Sequence, residues 1–195
     1  MRTAIGLATL VAATGLARAD TDAILSTDTP LSRDHWELGL AMLLPAELDQ
    51  DVGGHAVVAR QVGPLRLGLE YTLVGRSAER MLYDKDTGAV EVATVDAQVH
   101  RIGVGGRYRV GLGTRAVGTG LYLEGGVGRQ QHRFERGPAL TRDDVALGFG
   151  FEMLGGGAQL VGFDLGGRFT LARGATDDAP VESTATVVLG LLLGS

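Results

Sequence analysis

The sequence predicts an all-β fold: a closed, up-and-down antiparallel β-barrel of about eight strands, preceded by a signal peptide. Apolar residues alternate with small or charged residues at the period of two that indicates strands. Glycine contributes 31 of the 195 residues, about twice its usual share, and has no collagen-like period. The connections between the predicted strands alternate in length, as expected for a barrel whose two ends differ.

Composition excludes several classes of protein. The chain has no cysteine, which excludes a disulfide framework, a cysteine-ligated metal site and a thiol nucleophile. A formal net charge of −5 argues against a nucleic-acid partner, because such proteins carry a basic face. With 45% hydrophobic and 21% charged residues, the chain is expected to fold rather than to remain disordered.

The N-terminus predicts export from the cytoplasm. Arg2 precedes a short apolar run from Ala4 to Leu16, and Ala17 and Ala19 place small residues where signal peptidase reads them. The run is too short for a membrane-spanning helix, which needs about 20 residues. We therefore expect residues 1–19 to be a signal peptide cleaved after Ala19. Residues 20–33 are expected to form an extended leader, and residues 34–195 the barrel domain.

Seven segments after the leader have one apolar face and one face of small or charged residues. An eighth segment, His55–Val62, fits a strand without choosing its faces. The predicted apolar faces run, in chain order, from Trp36 to Leu44, Leu65 to Leu73, Ile102 to Val110, Leu121 to Val127, Val145 to Met153, Val161 to Leu171 and Ala185 to Leu193. No helical periodicity competes with this pattern.

The predicted connections distinguish two ends of the barrel. Tight turns are expected at Val62–Pro64 and Gly155–Gly157, with a moderate connection at Gly111–Thr119. Longer polar connections are expected at the other end: Pro45–Gly54, Gly75–Glu91, Arg133–Arg142 and Ala172–Glu182.

The chemistry of the second face decides which side of each strand is inside. It is mostly glycine, with about one acid or arginine per strand, and the whole chain has a single lysine, Lys85. Glycine weakens a water-exposed strand, whereas small residues suit the filled interior of a narrow barrel. The apolar face must then contact lipid, so the barrel is predicted to be transmembrane. The charges expected inside form a paired lumenal charge network: Glu37, Arg66, Glu70, Arg101, Arg107, Glu124, Glu152, Asp164 and Arg168.

Residues 34–194 resemble the small eight-stranded outer-membrane barrels of Gram-negative bacteria, the OmpA transmembrane domain and its OmpX- and OmpW-like relatives. The signal peptide, strand count, loop asymmetry and outward apolar stripes carry the resemblance. The last strand departs from it, because Thr186–Ser195 lacks the terminal aromatic residue that the assembly machinery recognises in such families. The resemblance implies an outer-membrane location, contacts with membrane lipid and lipopolysaccharide, insertion by the assembly machinery, and a monomer.

No catalytic, cofactor or metal site is predicted. His132 has no nucleophile near it in sequence, and is expected to be a surface histidine. Asp84–Gly88 looks like a calcium loop but lacks the later glycine and glutamate of an EF-hand, so a turn is expected. The acidic residues of the connections are expected to form a solvated face: Glu47, Asp49, Asp51, Asp177, Asp178 and Glu182.

Three functions compete at this point. The first is a non-enzymatic outer-membrane barrel with a filled lumen and functional loops. The second is a narrow channel or carrier for a small solute, which needs a path along the inward glycines at 103, 105, 126, 128, 148, 150, 162 and 166. The third is a soluble periplasmic barrel that holds a lipid inside an apolar cavity.

Overall fold

The computed structural model describes residues 33–46, 51–84, 86–113, 117–136, 138–156, 159–173 and 182–195. The predicted signal peptide and most of the leader lie outside the described residues. Eight strands make up the fold: β1 (His35–Pro45), β2 (Gly53–Val62), β3 (Leu65–Tyr83), β4 (Val90–Gly113), β5 (Val117–Phe134), β6 (Leu140–Gly156), β7 (Leu160–Ala172) and β8 (Glu182–Gly194). Among the described residues there is no helix long and apolar enough to cross a membrane.

The strands form one closed barrel in which every strand pairs antiparallel with its neighbours in sequence, and β1 also pairs with β8. The register of the closing pair places Glu37 opposite Gly194. Two backbone hydrogen bonds extend this pair, from Trp36 N to Ser195 O (3.1 Å) and from Ser195 N to Trp36 O (3.0 Å). The predicted all-β, eight-stranded closed barrel is therefore confirmed.

The connections define a turn end and a loop end. At the turn end lie the connections β2–β3, β4–β5 and β6–β7, together with the start of β1 and the end of β8. At the loop end lie β1–β2, β3–β4, β5–β6 and β7–β8. Gly63 adopts a positive φ of 55° in the tight turn between β2 and β3, a conformation that glycine accepts at no steric cost.

The predicted long connection at Gly75–Glu91 is wrong, because β3 and β4 remain paired through most of it. The pairing continues to Tyr83 opposite Val90, and only residues 84–89 connect the strands. Likewise β5 extends to Phe134 and β6 begins at Leu140, within the predicted connection Arg133–Arg142. Polar composition suggested loops there, but a strand outside the membrane has no need of an apolar outward face.

The structure of strand β2 explains why its sequence did not indicate which face points inward. Val58 and Val62 point outward and are more than half exposed, whereas Val57 and Ala59 point inward and are buried. Both faces are thus apolar over part of the strand, and alternation is lost from the sequence. The neighbouring registers, Glu37 with Ala59 and Ala59 with Gly68, place β2 in the wall.

The outward face of the barrel is an apolar surface of a kind that soluble monomers rarely expose. Leu69 is 65% exposed, and Ile102 and Phe149 are each 67% exposed. On β3 the outward apolar residues run from Leu65 to Leu73, which matches the roughly 9–11 residues that a tilted strand needs to cross a bilayer. This face is a lipid contact surface. The soluble lipid carrier is contradicted, because its apolar face would have to line the interior.

Aromatic residues mark both edges of this surface. At the turn end, the Arg60 guanidinium lies 5.7 Å from the centroid of the exposed Trp36 ring. At the loop end, Tyr71 Oη and His100 Nδ1 are 2.8 Å apart. Amphipathic side chains of this kind favour the interfaces between lipid and water.

Candidate functional site in the barrel lumen

All nine residues of the predicted lumenal charge network point into the barrel. Eight of them are less than 9% exposed, and Glu37 and Glu152 are at 2% and 0%. The ninth, Glu124, has a side chain that is 10% exposed. Strand alternation explains this placement, since each network residue occupies a position of the same parity as the small inward residues of its strand.

Near the turn end, Arg107 and Arg109 connect acids from four strands. Arg109 Nη2 lies 2.7 Å from Glu37 Oε2, and Arg109 Nε lies 2.6 Å from Glu152 Oε1. Arg107 Nη1 lies 3.1 Å from Glu152 Oε2 and 2.8 Å from Asp164 Oδ2, and its Nη2 lies 2.9 Å from Glu124 Oε2. Each guanidinium thus contacts at least two carboxylates inside the wall.

Two more side chains complete this turn-end group. Arg66 pairs with Glu37, which therefore lies between two arginines. The Arg107 guanidinium also lies over the Tyr122 ring, 3.6 Å from its centroid. A cation held over an aromatic face gains electrostatic attraction in addition to its ion pairs.

Toward the loop end, Glu70 holds two arginines from different strands. Its Oε2 lies 2.7 Å from Arg101 Nη1 and 2.6 Å from Arg168 Nη2. Arg101 Nε in turn lies 2.8 Å from Asp144 Oδ1. Arg168 Nη1 approaches Glu124 Oε1 at 3.5 Å, so this group continues into the turn-end group.

The sequence interpretation omitted Arg109 and Asp144 from the lumenal charge network. Both are buried and inward, at 2% and 4% exposure. Their parity could have identified them: Arg109 is two residues beyond Arg107, and Asp144 lies two before the inward Ala146. From here on, the lumenal charge network includes both.

A further group, the rim triad, lies at the loop end of the lumen and consists of Arg76, Glu182 and Arg142. The Glu182 carboxylate pairs with both arginines, which come from β3 and β6 on other parts of the wall. The expectation that Glu182 belongs to a solvated face is wrong, since its side chain is 24% exposed and inward. Of the other acids in that group, Asp51 is exposed, and Glu47, Asp49, Asp177 and Asp178 lie outside the described residues.

The lumenal charges of the described residues balance. Seven arginines face seven carboxylates: Arg66, Arg76, Arg101, Arg107, Arg109, Arg142 and Arg168 against Glu37, Glu70, Glu124, Asp144, Glu152, Asp164 and Glu182. Ions removed from water need this compensation, because burying an unpaired charge costs several kcal/mol or more. The lumen is therefore filled by mutually neutralising side chains.

The inward glycines provide the space that these large side chains occupy. A Cβ placed on Gly148 would lie 2.6 Å from Glu124 Oε1, and one on Gly128 would lie 2.8 Å from Arg101 Cζ. A Cβ on Gly105 would meet Glu70, and one on Gly166 would meet the Tyr122 hydroxyl. At these four glycines, the solute path that a channel would need is thus occupied by inward side chains.

Gly166 provides a test of this packing. We expect Gly166→Ala to destabilise the barrel by about 1–3 kcal/mol, the usual cost of overpacking, because the new methyl group would meet Tyr122 and the Phe149 carbonyl. The matched control is Gly125→Ala on the outward face, where the nearest atom would lie 3.7 Å away. Urea unfolding in micelles measures both. Equal stability of the two variants would contradict the packing role.

Between the ion pairs of Glu70 with Arg101 and Arg168 and the rim triad lies a space, here called the outer cavity, of about 70 Å³. Its polar lining combines arginines with hydroxyl, amide and imidazole groups: Arg76, Arg101, Arg168, Thr72, Thr170, Thr184, Thr186, Gln130 and His132. Leu43, Val74 and Val99 complete the lining. Six strands contribute to this surface, so it exists only in the closed barrel.

Two sequence candidates for other chemistry have structural roles. His132 is 3% exposed and lies inside the lumen, so the expectation of a surface histidine is wrong. Its Nε2 lies 3.1 Å from Gln130 Oε1, and its ring stacks on Phe134.

Asp84 closes the turn of the β3–β4 connection, as predicted. It accepts hydrogen bonds from Thr87 Oγ1 (2.7 Å) and Asp86 N (2.9 Å), which lower the pKa of its carboxyl.

Several solved structures are similar to this chain. Neisserial surface protein A is 14% identical in sequence, with a TM-score of 0.52, and the match covers 83% of this chain and 95% of that one. A major outer membrane protein from Thermus thermophilus is 11% identical, covers 83% and 99%, and has a TM-score of 0.44. The N-terminal β-barrel domain of Pseudomonas aeruginosa OprF is 11% identical, covers 84% and 100%, and has a TM-score of 0.43.

No protein-family model matches the sequence, and no curated protein matches it. Because only 14% of the aligned residues are identical, the likeness to Neisserial surface protein A concerns the fold alone. It agrees with the closed eight-stranded wall described above. The chain is an outer-membrane-type β-barrel, with the fold of the small eight-stranded barrels and an outer surface that contacts lipid.

Proposed function

We propose that the chain is a monomeric, non-enzymatic outer-membrane protein that the assembly machinery inserts, closed to ions and active through its loop end. The balanced lumenal charge network carries this proposal. An ion crossing the lumen would have to break pairs such as Arg107 with Asp164 (2.8 Å) or Arg101 with Glu70 (2.7 Å). Because each separation would strand a buried charge, the barrel is a plugged scaffold rather than a pore.

The β3–β4 hairpin is the structure most suited to contact a partner. Beyond Gly75 and before Asp96, these strands pair with each other past the ends of their other neighbours, β2 and β5. The outward face of its tip carries Met81 opposite Val92 and Tyr83 opposite Val90, all more than 60% exposed. Such an exposed apolar group marks an interaction surface.

The rim of the lipid surface also supports contact with lipopolysaccharide. Arg129 follows the outward Val127 on β5 and is 69% exposed, with Nε 2.9 Å from Asp143 Oδ1. Arg133 lies on the same face, and its Nε donates to Gln131 Oε1 at 3.1 Å. We infer that these arginines lie at the headgroup level and bind lipid phosphates, which Arg recognises through charge-assisted hydrogen bonds.

Protease treatment of intact cells tests the orientation on which the proposal depends. If the loop end faces the medium, proteinase K should cut between Tyr83 and Val90 and leave the turn at residues 63–64 intact. The same enzyme added to permeabilised cells controls for cleavage from the periplasmic side. Protection of the β3–β4 connection in intact cells, with cleavage at residues 63–64, would reverse the orientation and contradict the proposal.

A further inference from the structure

The outer cavity differs from the rest of the lumen in the charges that line it. Elsewhere each arginine lies among carboxylates, but here Arg76, Arg101 and Arg168 line the space and none of the lining residues is acidic. Four threonines and Gln130 add neutral hydrogen-bonding groups. The carboxylates that pair with these arginines, Glu70, Asp144 and Glu182, are not part of the lining, so the surface facing the cavity is rich in cationic donors.

Two donor atoms of these arginines are buried without a hydrogen-bond partner among the described residues. Arg101 is 4% exposed, and its Nη1 and Nε contact Glu70 and Asp144. Arg101 Nη2 has no hydrogen-bond partner among the described residues. Arg76 Nε, nearer the loop end, has none either. A buried donor without an acceptor carries a desolvation cost of about 1–3 kcal/mol or more, which an acceptor in the cavity would remove.

We propose that the outer cavity binds a small oxyanion of the phosphate or sulfate class. The cavity volume of about 70 Å³ exceeds the roughly 10–15 Å³ that one water molecule requires, so a compact polyatomic ion fits. Its oxygens would accept hydrogen bonds from Arg101 Nη2, from Arg76 and from threonine hydroxyls. The lumenal charge network below remains paired, so the ligand is held in a blind site rather than conducted.

The rim triad provides a built-in competitor for this site. Arg76 both lines the cavity and pairs with the Glu182 carboxylate, which also pairs with Arg142. An oxyanion entering from the loop end must share Arg76 with this carboxylate or displace it. The two partners should therefore have opposite effects: loss of Arg76 weakens anion binding, and neutralisation of Glu182 strengthens it.

The test titrates inorganic phosphate into the mature chain, folded in lipopolysaccharide-free detergent micelles, by calorimetry at constant ionic strength. Wild type should show saturable binding at one site and a raised unfolding temperature. We expect Arg76→Gln to weaken binding about tenfold or more, the usual value of a charge-assisted hydrogen bond, and Glu182→Gln to tighten it. The matched control is Arg60→Gln, which removes the same charge from the outer face at the turn end and should leave binding unchanged.

The opposite signs keep the outcome independent of folding damage, since a damaged barrel would not bind more tightly. Absence of saturable phosphate binding in both wild type and Glu182→Gln would overturn the proposal. Equal weakening by Arg60→Gln and Arg76→Gln would also overturn it, because binding would then depend on the overall charge of the protein and not on the cavity. Protease accessibility tests the proposed function separately, since it does not depend on phosphate.

Discussion

Glu70→Ala is expected to lower the free energy of unfolding by about 3–5 kcal/mol, the usual cost of breaking a buried ion pair from one side. The Glu70 carboxylate holds Arg101 at 2.7 Å and Arg168 at 2.6 Å inside the wall. Its removal would leave Arg168 with Glu124 at 3.5 Å as the nearest acid described. Urea unfolding measures the loss of stability. The folded fraction at each urea concentration is determined from the difference in gel mobility between the native and the heat-unfolded protein.

Thr72→Ala is the matched control, because Thr72 lies two residues from Glu70 on the same strand and the same face. It removes a hydroxyl 3.0 Å from His55 Nδ1 and leaves every ion pair intact. We expect a loss of about 1 kcal/mol, the value of one neutral hydrogen bond. If Glu70→Ala were as stable as Thr72→Ala, the lumenal charge network would not stabilise the barrel.

Leu69→Arg should prevent assembly into the membrane or lower the stability of the barrel by about 2–4 kcal/mol, the cost of a cation near the bilayer midplane. Leu69 is 65% exposed at the middle of the outward apolar run on β3. The outward residues on either side of it along the strand, Leu67 and Tyr71, offer no negative charge to neutralise an introduced arginine. The amount of heat-modifiable barrel in purified outer membranes measures the effect.

Met81→Arg makes the same change on the same strand and face, beyond the membrane. Met81 is 79% exposed and lies in the part of the β3–β4 hairpin that projects past its neighbours. Water solvates the new charge there, so assembly should match that of wild type. Equal assembly of both variants would show that the outward face does not contact lipid.

The sequence predicted the fold because lipid and a narrow lumen impose strict alternation on the strands. Leu65 to Leu73 and Val145 to Met153 show the apolar stripe directly, and the inward charges follow from the same parity. For strand β2 the inward and outward faces could not be predicted in this way, because Val57 and Val58 lie on opposite faces and are both apolar. Beyond the membrane the constraint ends, so the paired residues of the β3–β4 hairpin looked like a loop.

The candidate site was predictable as a set of charges but not as a geometry. Parity identified the nine residues, yet which acid meets which arginine depends on the stagger between strands, which the sequence does not encode locally. Glu182 lies at the end of a segment whose polar composition predicts a connection. Its inward position and its contacts with Arg76 and Arg142 were therefore not predicted. The buried position of His132 was missed for the same reason, since it also lies near a strand end.

Single-channel recording of the purified, folded protein in planar bilayers tests the central claim most directly. A lumen filled by seven arginines and seven carboxylates of the described residues should pass almost no current, and Glu70→Ala should open more often than wild type. The native gel mobility of the same sample confirms that the barrel is folded. Frequent, stable openings of the wild-type protein would contradict a lumen closed by the lumenal charge network and would show that the barrel is a channel.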